Sequence, residues 1–177
     1  QNSARVRIFN RVAEMPFAGH PNVGTAFVLA REDEDNPRSY RFEEPAGLVE
    51  VAVLRDNAGR VLGAEVAAPQ PLRIGAELPV AVAAACAGLP EDAIVTARHA
   101  PTLAADGGNH RLLTEVTPDG LTNAAPDLGA FRRAVAAHPE ATRGFLSLYI
   151  YCRDGAGVRA RMFSPLTGTW EDSATGS

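Results

Sequence analysis

Residues 23–30, Val-Gly-Thr-Ala-Phe-Val-Leu-Ala, are apolar or small on every side of the helix they would form. A helix lying on a surface keeps one polar face, so a stretch without one has to be surrounded by other chain. Pro21 suits the first helical position, where its missing N–H would have no partner anyway, and Gly19 allows a sharp turn ahead of it. The pattern predicts a helix over 21–31. Short strand patterns follow at 39–43, 48–54 and 60–66, the last two joined by the turn residues Asp56-Asn57-Ala58-Gly59. Strands gathered about one apolar helix make a sheet or barrel curled around it.

A similar order recurs further on. An Ala-rich helix is read over 78–87, ending near Gly88, with a strand over 94–97. Loop chemistry over 102–109 marks a crossover; then 111–116 reads as a strand, 127–137 as an amphipathic helix, and 145–152 with 158–163 as a strand pair about Asp154-Gly155. The basic-aromatic strand Arg7-Ile8-Phe9 leads to Phe17-Ala18-Gly19-His20-Pro21, and Arg161-Met162-Phe163 leads to Glu171-Asp172-Ser173-Ala174-Thr175-Gly176-Ser177. Gly19-His20 and Gly176-Ser177 are then equivalent points of an internal duplication. The expected fold class is α+β, in two pseudo-symmetric halves, 1–101 and 102–177, each a curled, mostly antiparallel sheet or barrel around a central helix. The second central helix would begin at Gly176-Ser177.

Composition removes several functions. Seventeen arginines, no lysine and 21 acidic residues give a net charge of −4 with no basic run, which disfavours nucleic acid as a partner. No stretch approaches the ~18 apolar residues of a membrane span. Cys86 and Cys152 stand outside any Cys-x-x-Cys or Cys/His cluster, so they read as core residues of a cytoplasmic protein and imply no metal site. The acidic run Glu32-Asp33-Glu34-Asp35 reads as a solvated turn. No phosphate-binding loop, dinucleotide fingerprint or nucleophile elbow is present, so no cofactor is expected. The chain lacks an initiating Met and reads as a fragment of a longer protein.

The glycine turns carry the candidate chemistry. Each brings a polar side chain and free backbone N–H groups to the start of a helix, which suits a small anionic metabolite. His20 sits between a glycine and a proline at the positive end of a helix, where a neutral imidazole is expected. Asp172 precedes the second glycine by four residues and could take or donate a proton, with Glu171 as its competitor for that role. Ser177 offers a hydroxyl and an amide to the same ligand. Each residue also has a plain structural use: His20 as a helix cap, Asp172 as a cap or dipole partner, Ser177 as an N-cap or part of a polar tail. His99, His110 and His138 are scattered and read as surface or loop residues.

Arg-Ile-Phe, then Glu14-Met15-Pro16-Phe17-Ala18-Gly19-His20-Pro21-Asn22-Val23-Gly24-Thr25-Ala26, and the closing Glu-Asp-x-Ala-Thr-Gly-Ser together resemble the phenazine-biosynthesis isomerase (PhzF-like) family. The resemblance covers essentially the whole chain. It implies the diaminopimelate-epimerase fold, with an active site in the crevice between two halves and, by family habit, a homodimer. It implies His20 and Asp172 as catalytic residues, Ser177 as a substrate hydrogen-bonding group, and Gly19 with Gly176 as turns opening backbone amides to the ligand. Such enzymes move a proton along a small unsaturated acid without metal or organic cofactor. Their principal base is a glutamate in a Glu-Thr-like segment upstream of the first motif, which this chain does not contain, so the chain alone is expected to be inactive.

Two departures stand out: Asn22 where threonine often follows Gly-His-Pro, and Ser173 where proline usually follows Glu-Asp. The cysteine pair of the epimerase branch is replaced by Ala18 and Thr175, which disfavours two-thiol racemisation. The readings left open are an isomerase of a small cyclic or unsaturated carboxylate, a non-catalytic binding protein on the same fold, and an amino-acid epimerase with a non-thiol acid/base pair.

Overall fold

In residues 39–44, Tyr40, Phe42 and Glu44 alternate inward while Ser39, Arg41 and Glu43 face water, the period-two signature of a half-buried strand. The structure, a computed structural model, describes residues 2–106 and 109–174. In chain order its first elements are β1 (Ala4–Arg5), β2 (Ile8–Phe9), β3 (Glu14–Met15), α1 (Gly19–Glu32), β4 (Ser39–Glu44), β5 (Gly47–Arg55) and β6 (Val61–Val66). There follow β7 (Arg73–Glu77), α2 (Val80–Ala87), β8 (Thr102–Asp106), β9 (Asn109–Glu115), α3 (Pro118–Asn123), α4 (Leu128–Ala137), α5 (Pro139–Thr142), β10 (Leu148–Asp154) and β11 (Gly157–Phe163). The chain gathers into two compact units, one comprising residues up to Pro71 and the other built on Leu72–Ala105 and residues 110–174.

The first unit is a sheet in the order β1-β4-β5-β6, with β1 parallel to β4 and the other pairs antiparallel, plus the small hairpin β2-β3. The turn between β5 and β6 forms where expected: Asp56 accepts hydrogen bonds from the backbone N–H of Ala58 (3.0 Å) and Arg60 (2.8 Å), and Gly59 takes a φ of +81°. Helix α1 packs on β5 and β6. Its core partners include Phe17, Phe42, Val49 and Val51.

Two expectations about α1 need correction. The helix begins at Gly19, two residues before Pro21, with extended Ala18 as its N-cap. Pro21 still lies in the first turn, where an N–H has no intrahelical acceptor, so the earlier start loses no hydrogen bond. Nor is the helix surrounded: only Asn22, Ala26 and Ala30 are buried, a stripe at four-residue spacing, and Val28 is 52% exposed. Among the described residues the sheet stays open, with a two-residue edge strand, so it covers one face of α1 and forms no closed barrel.

The second unit is a five-stranded sheet in the order β11-β10-β9-β8-β7. Its β9-β10 pair is parallel and therefore needs a crossover, which α3, α4 and α5 supply. Leu112, Phe131, Leu146, Leu148, Ile150 and Phe163 are fully buried in its core. Asp127 caps α4 by accepting from the N–H of Ala130 at 2.8 Å. At Gly88, which ends α2 with a φ of +66°, a Cβ would collide with the carbonyl of Ala125, so glycine is required there.

Several sequence assignments shift. The loop read over 102–109 is mostly strand, β8 running to Asp106 and β9 starting at Asn109; Gly107 and Gly108 lie outside the described residues. The strand read over 94–97 reduces to a single bridge, Ile94 to Val116. Strand β7 was not foreseen, because all five of its residues are exposed and show no alternation. By their pairing with β8 and packing on α4, β7 and α2 join the second unit instead of the first half ending at 101, and the units divide after Pro71. Among the described residues, no helix is long and apolar enough to cross a membrane.

Candidate functional site

The first glycine corner is prepared by the β2-β3 hairpin, in which Ile8 faces Met15 and Phe9 faces Glu14. Arg7 grips Glu14 through two parallel hydrogen bonds, Nε to Oε1 and Nη2 to Oε2, both 2.9 Å, while its guanidinium lies 4.8 Å from the Phe9 ring centroid. The chain then buries Phe17 and starts α1. His20 is the second helical residue and its side chain is exposed; no acidic side chain occupies this first turn, and among the described residues no side chain caps it. The backbone N–H groups of Gly19 and His20 therefore lack intrahelical partners and carry the positive end of the helix. Gly19 is not demanded by the fold: its φ is ordinary, and the nearest atom to an added Cβ would be Val66 Cγ1 at 4.0 Å.

The arginine–glutamate and arginine–phenylalanine contacts recur inside the other unit. Arg161 grips Glu171 with the same pair of atoms, Nε to Oε1 and Nη2 to Oε2, both 2.8 Å, and lies 4.9 Å from the Phe163 ring centroid. Asp172 donates its backbone N–H to Met162 O at 2.9 Å, the counterpart of the Ile8–Met15 pairing. Half-buried Asp172 accepts the N–H of Ala174 on Oδ1 at 3.1 Å. Gly176 and Ser177, assigned to substrate binding by resemblance, lie outside the described residues, as does Thr175.

Glu171 and Asp172 differ in their contacts. The hydrogen bond and charge of Arg161 hold the Glu171 carboxyl below the usual glutamate range. A carboxylate so committed to an arginine is a poor proton carrier near neutrality, which leaves Asp172 as the acid/base candidate of this corner. Thiol chemistry is disfavoured as well: Cys86 and Cys152 are buried and free, and burial pushes the Cys86 thiol up to about 12.

Sequence reading missed Glu44. It ends β4, is 7% exposed, and neither carboxylate oxygen has a hydrogen-bond partner among the described residues. The fully buried Asn22 of α1 is its polar neighbour; Asn22 Nδ2 donates to Ala18 O at 3.0 Å and its Oδ1 has no partner among the described residues. Burial raises the Glu44 carboxyl above its ordinary value, and Asn22 only partly opposes this. A group raised in the folded state contributes fully to stability below its unfolded value, and the contribution is lost as pH climbs through the folded value. Glu44→Gln should therefore stabilise the protein by about 1–3 kcal/mol in mildly alkaline solution, with the gap closing in acid. Thermal unfolding across pH checks this, and a gap independent of pH would contradict it.

His99 lies in the loop ahead of β8, as expected, but its ring is engaged. It is half-buried, with Nε2 2.8 Å from the Tyr151 hydroxyl and Nδ1 2.6 Å from Ala100 O. Tyr151 also donates to buried Glu115 at 3.3 Å, and burial raises its phenol. No local motif marks these three residues; register in the parallel β9-β10 pair brings Tyr151 opposite Glu115.

An α+β scaffold with two corners built alike, one leading to Gly-His-Pro and the other to Glu-Asp, defines the class. Across residues 1–177 the chain matches the PhzC-PhzF family, described as phenazine biosynthesis-like protein, and it belongs to that family. It is 34% identical over 178 residues to the trans-2,3-dihydro-3-hydroxyanthranilate isomerase of Pseudomonas aeruginosa, covering 98% of this chain and 56% of the relative. It is 32% identical over 179 residues to an uncharacterized isomerase of Mesorhizobium japonicum, covering 98% of this chain and 58% of the relative. Among solved structures, a predicted epimerase of Pseudomonas aeruginosa superposes with a TM-score of 0.74 at 26% identity, covering 98% of this chain and 58% of that one. The Bacillus anthracis phenazine biosynthesis protein of the PhzF family gives 0.67 at 23% identity, covering 98% and 57%, which supports the fold. The chain thus spans little more than half the length of these relatives.

Proposed function

We propose that this protein is an isomerase that shifts a proton along a small unsaturated carboxylic acid, with trans-2,3-dihydro-3-hydroxyanthranilate as the substrate to try first. The observation that carries the reading is the corner at Gly19. Among the described residues nothing demands a glycine there, and none occupies the two helix-start N–H groups that a ligand carboxylate would use. His20 and, by duplication, Gly176 and Ser177 complete the seat for the substrate. Asp172 is the proton carrier of its corner, acting with the glutamate that the family supplies upstream of the first motif. In the isomerisation one C–H bond is broken, the double bond shifts, and a C–H bond forms at another carbon of the same molecule. No electrons leave the substrate, so the chemistry asks for proton carriers and a carboxylate seat, and needs no redox cofactor. A homodimer in the cytoplasm remains part of this proposal.

The test uses protein expressed from its complete reading frame in deuterated water. Conversion of trans-2,3-dihydro-3-hydroxyanthranilate should proceed with solvent deuterium entering a carbon of the product. Tight binding without conversion would favour the non-catalytic reading, and exchange at the α-carbon of an amino acid would favour epimerisation.

A further inference from the structure

The basic residue of each repeated strand has no part in the proton transfer just described, yet its contacts to a glutamate and a phenylalanine ring recur atom for atom. In both units an arginine two residues before a phenylalanine lies over that ring, and holds through Nε and Nη2 the glutamate five residues before the corner glycine. Arg161 is further anchored: its Nη1 donates to Leu121 O at 2.8 Å and Ala124 O at 3.0 Å, at the end of α3. Its five N–H donors sit in a rigid planar fork, so these contacts fix the orientation of Glu171 as well as its distance. Asp172 is the next residue, and its backbone bond to Met162 lies beside the arginine's own strand position.

We propose that Arg161 is the positioning residue of the second corner, tying the segment that carries Asp172 to Phe163 and α3, and that Arg7, through Glu14 and Phe9, steadies the hairpin leading to Gly19 and His20. The claim about turnover rests on Asp172 being the acting carboxylate. The claim about the clamp does not. A misplacement of the carboxylate by ~1 Å would be felt in the chemical step, since proton transfer requires near-contact geometry.

The experiment compares Arg161→Gln and Arg161→Lys in the complete protein, each alone and combined with Asp172→Asn, by amide exchange and by turnover of trans-2,3-dihydro-3-hydroxyanthranilate. Arg161→Gln should speed exchange of the Asp172 amide by ~10-fold or more and lower kcat by ~10-fold to ~100-fold with little change in KM. Lysine, which keeps the charge but not the fork, should fall between. In the Asp172→Asn background the arginine change should cost no further turnover, because there is no carboxylate left to position. Unchanged exchange at Asp172 would overturn the clamp. An equal loss of kcat in both backgrounds, or none in either while Asp172→Asn is itself defective, would overturn the positioning role. Wild-type turnover in Asp172→Asn alone would instead overturn the proposed function of Asp172, with amide exchange still deciding the clamp.

Discussion

Asp172→Asn should lower turnover of the complete protein by ~10²-fold or more while leaving its thermal stability close to that of the wild type. The amide has the volume of the carboxylate and keeps an oxygen for the Ala174 N–H, so the local turn survives. What it loses is the capacity to take and return a proton. The second Asp172 oxygen makes no hydrogen bond to a described residue, so it is not committed to the fold. Glu171→Gln is the informative control: its carboxylate is bound to Arg161, so the change should act through geometry and cost less than Asp172→Asn. His20→Ala should also lower turnover by ~10²-fold if the imidazole polarises the substrate. Rates of conversion with parallel melting curves check all three. Wild-type rates in Asp172→Asn or His20→Ala would remove that residue from the mechanism.

Phe163→Ala should cost about 3–5 kcal/mol of folding stability, the largest effect expected of a single core change here. The ring is fully buried beside the strands and helices of the five-stranded unit, and its face also supports Arg161. Truncation removes core volume and a cation–π contact together, whereas Phe163→Leu keeps most of the volume and should cost clearly less. Urea unfolding gives the difference, and on heating the alanine variant should melt lower by on the order of 10 °C. A loss below ~1 kcal/mol would mean that the packing around this ring is not as described.

Part of this account is legible in the residues alone, and the gaps have physical causes. Strands β4, β5 and β6 are read almost to their ends because one face is buried and the other wet. Helix α1 is recognisable, but its small residues misled: Ala26 and Ala30 let the sheet come close, while Val28 stays open, so an apolar circumference did not mean an enclosed helix. Strand β7 is an exposed edge and has no buried face to mark it. Helix α3 is six residues long, too short for periodicity, although Thr117 and Pro118 form a readable start.

The site divides in the same way. The paired motifs single out His20 and Asp172 as candidates with Glu171 as a rival; that Glu171 is held by the distant Arg161 is visible only in the folded chain. Glu44 has inward parity on its strand, but a carboxylate at such a position looks like an interruption of the pattern until its burial is seen.

The most direct measurement is a crystal structure of the complete Asp172→Asn variant soaked with trans-2,3-dihydro-3-hydroxyanthranilate. The account predicts the substrate carboxylate within hydrogen-bonding distance of the Gly19 and His20 backbone N–H groups. A substrate carboxylate bound away from Gly19 and His20 would contradict it.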